Sequence, residues 1–106
     1  MQFTGQENHS IDLDDAAKMT ANYRNAHEPG ALLGGYFSLE GIKKILDQSN
    51  CVGIRIYNAL SDDGDEHFVL VGVKSDGEDL HGGEIAEIEY QCPPYCPTAS
   101  PLNGTA

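Results

Sequence analysis

The sequence is short of positive charge. Six lysines and arginines stand against seventeen aspartates and glutamates, for a net charge of −11. The deficit is uneven. Residues 1–60 carry five basic and seven acidic side chains, whereas residues 61–106 carry only Lys74 against ten acidic ones. The acidity stops at Glu89, and residues 90–106 carry no charge. Such a surface repels phosphate, so neither nucleic acid nor an anionic membrane is expected as a partner. A basic protein partner is compatible with it, though the simpler use of the charge is solubility. Long hydrophobic runs are also missing: nothing approaches the roughly 18 apolar residues of a membrane helix. The start, MQFTGQENHS, lacks a basic region followed by an apolar stretch. With Met1 as the natural start, no secretory signal is read and the expected location is the cytoplasm.

Cysteine is scarce and odd in number, at three. A secreted scaffold normally pairs all its cysteines, so three thiols are the expectation in a reducing compartment. Cys92 and Cys96 lie close together in CPPYC, and no second tight pair exists to complete a zinc clasp. Cys51 and a histidine such as His81 would have to supply the remaining ligands. Four readings stay open for CPPYC: a weak metal site, a small disulfide loop, a redox pair, or a stiff polyproline strap that packs its thiols and tyrosines against a surface. The redox reading is the poorest, because the spacing is one residue longer than C-x-x-C. The strap is favoured.

Other absences narrow the chemistry further. Gly34-Gly35 has no lysine behind it, so EPGALLGGYF is no phosphate cradle; it reads as a tightly bending loop that packs Leu32, Leu33, Tyr36 and Phe37 inward. The acidic turns around Gly64 and Gly77 lack the carboxylate spacing of a calcium loop. Cys51 begins an apolar strand, a place for a packed thiol rather than a nucleophile. No convergent set of base, nucleophile and ligands stands out, so the chain is read as a non-enzyme with no cofactor.

What remains is architecture. Asp12 can cap a helix that has Asp14 and Asp15 in its first turn, Leu13, Ala16, Ala17, Thr20 and Tyr23 at helical spacing, and its end near Asn25 to His27, before Pro29-Gly30. Ser38 opens a second helix, with Leu39, Ile42, Ile45 and Leu46 as its stripe, Gln48 facing water and Asn50 suited to a left-handed stop. The period then changes to two. CVGIRIYNAL (51–60) and HFVLVGV (67–73) read as strands joined by SDDGDE. Asp76-Gly77 marks the next turn, and EIAEIEY (84–90) reads as a third, edge strand. The expected fold is α+β: two N-terminal helices packed on an antiparallel meander of three or more strands, with a Pro-rich C-terminal tail. The expected organisation is a flexible 1–9, one domain at 10–90, and a tail at 91–106 that packs on the domain or on a partner.

Four stretches, AAKMTANYR, CVGIRIYNAL, VLVGVKSDGEDL and CPPYCPTASPLN, resemble a group of small uncharacterised bacterial proteins with a C-terminal C-P-P-x-C tail. The resemblance covers about residues 10–103. It implies a self-contained domain and carries no activity or functional residues with it. The functional expectation is therefore a small protein-interaction domain that self-associates, a homodimer being the simplest form. Tyr90 and Tyr95 in the strap, and Arg55 and Tyr57 on one strand face, are the candidate contact residues. One alternative is a metal- or thiol-dependent protein centred on Cys92 and Cys96. Another is an anion binder using Arg55 and Tyr57, with a cleft beside EPGALLGGYF.

Overall fold

The structure is a computed structural model, and it describes residues 2–105. The element order is α1 (Leu13–Ala26), β1 (Gly34–Tyr36), α2 (Leu39–Leu46), β2 (Gly53–Leu60), β3 (Glu66–Val73), β4 (Ile85–Ala86) and β5 (Tyr90–Cys92). The class is α+β with antiparallel sheets, one of two strands and one of three. The chain divides into two compact units. The first holds residues 1–8 and 37–89, and the second holds residues 9–36 and 90–106.

The first unit is built on the β2–β3 hairpin, paired from Gly53↔Val73 to Leu60↔Glu66. Its turn closes where Ser61 receives the Gly64 amide, with Gly64 at φ 86°, a left-handed conformation that glycine adopts without steric cost. Beyond β3, Gly77 at φ 90° reverses the chain, and Val73 bridges Asp79. β4 then adds two residues to the far side of β3, opposite Leu70 and Val71. The helix α2 contacts all three strands of this sheet. Ser38 caps it as its sequence predicts, accepting the Gly41 amide at 3.0 Å. Ile45 on α2 is wholly buried, and Leu70, Val71 and Val73 complete the core of this unit. The N-terminal segment is tied to the same unit by the Phe3 amide on the Ser75 carbonyl, 2.6 Å.

The expected third strand over 84–90 is cut short. It pairs only at Ile85 and Ala86, and Ile88 then takes φ 64°, a conformation hostile to a β-branched residue. β5 joins a different sheet. In that second unit β5 pairs with β1, with Gly34↔Cys92, Gly35↔Gln91 and Tyr36↔Tyr90 as partners. Part of the glycine-rich loop is thus a strand, and Leu33 and Tyr36 are exposed rather than packed inward. Helix α1 belongs to this unit. It runs nearly as predicted, but Asp12 caps it through its backbone carbonyl only, and none of the helix is fully buried. Arg24 on α1 donates to the Leu102 carbonyl at 3.0 Å, which ties residues near the end of the chain to the helix.

Candidate functional site

Glycines at 34 and 35 leave β1 almost without side chains, so Tyr36 stands out at its end. The cross-strand partner of Tyr36 is Tyr90, and their ring centroids are 5.9 Å apart. Past β5 the chain doubles back: the Tyr95 amide donates to the Gln91 carbonyl at 2.8 Å, and Cys92 is bonded to Cys96. That closure sets the Tyr95 ring 5.2 Å from Tyr90, at an interplanar angle of 35°. Tilted, offset rings at such separations are in favourable contact. The three rings form a row, yet they are 58%, 58% and 66% exposed for Tyr36, Tyr90 and Tyr95. β1, β5 and residues 93–105 carry no charged side chain.

Tyr90 and Tyr95 were legible as contact candidates because one precedes CPPYC and the other lies within it. Tyr36 was not. A strand of three residues gives no period to read, and the preceding glycines signal only a bend. CPPYC itself is a closed disulfide loop, where the sequence favoured an open strap of free thiols. In that state its sulfurs are neither thiolate ligands nor nucleophiles. Cys51 is a free thiol whose S–H donates to the Gly53 carbonyl at 3.2 Å. Among the described residues, no three His, Cys, Asp or Glu side chains group to hold a metal ion.

Arg55 and Tyr57 do converge, on a carboxylate of their own chain. Asp79 accepts from the Arg55 guanidinium through one oxygen and from the Tyr57 hydroxyl through the other, each at 2.5 Å. Arg55 also donates to the Gly77 carbonyl at 3.1 Å. The Tyr57 hydroxyl, then the Arg55 guanidinium, hold the Asp79 carboxyl below its usual range, with the charge of His81 adding to the effect. The same hydrogen bonds to Asp79 raise Arg55 and Tyr57 above their ordinary values. Arg55 is therefore ion-paired, with its carboxylate on the turn after β3. An incoming anion would have to displace Asp79 from both donors.

A second polar cluster was not expected. Glu89, assigned by alternation to an edge-strand face, is buried. One of its oxygens accepts the Phe68 amide at 2.5 Å, and the other lies 2.9 Å from Nδ1 of His67. These contacts answer the polar groups of Glu89 within the fold, which marks a structural carboxylate. In the second unit a cleft of about 200 Å³ is lined by Arg24, His27, Glu28, Pro29, Leu33 and Pro93, and neither Arg55 nor Tyr57 lines it. His27 stacks on Tyr23 at 3.8 Å there, and Arg24 is engaged with Leu102. No helix among the described residues is long and apolar enough to cross a membrane. Comparison with protein-family models, characterised proteins and solved structures finds no match.

Proposed function

We propose that this chain is a small non-enzymatic interaction domain that self-associates through the tyrosine row of Tyr36, Tyr90 and Tyr95. The row of exposed rings on an uncharged surface carries this reading. Tyrosines give large contact area at low entropic cost and are over-represented where proteins meet. Charge favours a second copy as the occupant. Two molecules of net −11 repel over most of their surfaces, and β1 with β5 and its following loop offers an uncharged place of approach. The sheet of β1 and β5 is also marginal in size, two strands of three residues, and gains from added partners. A two-fold axis lets one such surface meet itself.

The disulfide serves this reading as the brace that sets Tyr95 beside Tyr90. The metal-centred alternative gains nothing from Cys92 and Cys96 in their bonded state. Sedimentation equilibrium at roughly tens of micromolar tests the proposal. The parent chain is expected as a dimer and the Tyr90→Ser, Tyr95→Ser double variant as a folded monomer. A parent chain that stays monomeric, or a variant that dimerises equally, would overturn it.

A further inference from the structure

The three-stranded sheet has the order β2-β3-β4, so β2 lies at its edge. Eight residues make a long edge, and among the described residues none of Ile54 to Leu60 makes a backbone hydrogen bond outside the β2–β3 ladder. Folded proteins usually blunt such edges with proline, lysine, bulges or cover. GIRIYNAL contains no proline and no lysine. Its one cation, Arg55, is drawn onto Asp79 and Gly77. Ile56 and Leu60, which share a face by strand alternation, are 63% and 70% exposed. At the end of β2 the chain enters the turn bearing Asp62, Asp63 and Asp65, all exposed. An open backbone edge, two apolar side chains on one face and a carboxylate cluster beyond them therefore lie in line.

We infer that β2 is a second binding surface, which takes an extended segment of another protein by strand addition. The segment pairs antiparallel with residues 55–60, sets apolar side chains over Ile56 and Leu60, and carries lysine or arginine at its N-terminal end, against Asp62, Asp63 and Asp65. Main-chain hydrogen bonds supply the affinity in this mode, and alternate side chains supply the selectivity. The charge decides the occupant. A basic segment is attracted by the turn and by the whole chain of net −11, whereas a second copy brings the same negative charge. Antiparallel pairing puts the N-terminal end of the ligand at the turn, because β2 runs toward it.

The test uses the isotope-labelled full chain and a synthetic peptide of about ten residues, with a run of lysines followed by alternating valine and threonine. Two control peptides have glutamate in place of lysine, or a proline at mid-strand. The lysine peptide is expected to shift the amides of residues 55–60 and slow their exchange, while the controls leave them unchanged. Asp62→Asn, Asp63→Asn and Asp65→Asn together should weaken binding about tenfold, and more salt should weaken it for the parent chain. Ile56→Lys, an exposed change that leaves the core intact, should abolish it. No response to the lysine peptide up to about 1 mM would overturn the proposal. Equal binding to the triple variant would do the same. So would protection of residues 55–60 in the free protein as a dimer, because a second copy would then hold the edge.

Discussion

Asp79 sits where three small decisions of the chain meet: the turn at Gly77, the alternation of β2, and the reach of Arg55 and Tyr57. The consequences for stability follow from the signs of the shifts. The Asp79 carboxyl titrates lower when folded than its ordinary 3.8. Its contribution is therefore present above about that pH and is lost as pH falls through the folded value. The Tyr57 hydroxyl titrates higher than its ordinary 10.0, so its contribution is present below that pH and is lost as pH rises through the folded value. Tyr57→Phe removes the hydroxyl that does most to hold Asp79 down. Stability measured by chemical denaturation from about pH 3 to about pH 11 should lose its alkaline decline in the variant, and its acid decline, which still begins near the ordinary carboxylate value, should be smaller. Parallel curves for the two proteins would show that the trio does not govern either limb. The residue types of this trio were legible in the sequence. Its carboxylate was not, because a partner on a turn 22 residues from Tyr57 follows from the fold and not from spacing. Glu89 escaped notice for a related reason. Alternation assigns a face only while the strand continues, and it ends at Ala86, before the left-handed Ile88.

At the scale of elements, local signals fared best. The caps, breakers and two-residue period placed α1, α2, β2 and β3 within a few residues of their positions. The end of α2 differs slightly: Asn50 is left-handed, φ 68°, but it turns the chain into β2, three residues after the cap at Asp47. The β1–β5 sheet was out of reach, since Tyr36 and Tyr90 are far apart in sequence and neither strand has length enough to announce itself. Close packing around β3 leads to a prediction about Gly72, a buried residue of that strand. A Cβ there would lie 2.9 Å from Sγ of Cys51, 3.0 Å from Nε2 of Gln48 and 3.2 Å from Cδ1 of Leu80. The thiol is short and cannot swing clear as a long side chain would. Gln48, expected to face water, instead donates to the Ile45 carbonyl and accepts the Glu84 amide, so its movement breaks two hydrogen bonds. Gly72→Ala should therefore destabilise the protein by about 1–3 kcal/mol despite the better strand propensity of alanine. Urea denaturation at neutral pH measures it, and a neutral or stabilising outcome would mean that this side of the sheet is loosely filled.

For the whole molecule, salt separates the two proposed binding surfaces. The proposed association through Tyr36, Tyr90 and Tyr95 would bring two chains of net −11 together at an uncharged face. Its attraction is apolar and insensitive to screening, while the repulsion it works against is screened. The dimer should tighten severalfold as ionic strength rises from about 20 mM to about 500 mM, over which the Debye length shrinks from about 20 Å to about 4 Å. Strand addition at β2 draws on opposite charges and should loosen over the same range. One titration series, read by sedimentation for self-association and by amide shifts of residues 55–60 for peptide binding, compares the two directly. A dimer that weakens with salt would place the self-contact on charged residues and away from the tyrosine row. Peptide binding that strengthens with salt would remove Asp62, Asp63 and Asp65 from its recognition. Opposite slopes in one molecule are the outcome expected from a chain that confines its acidity to residues before 90 and leaves its tyrosine surface neutral.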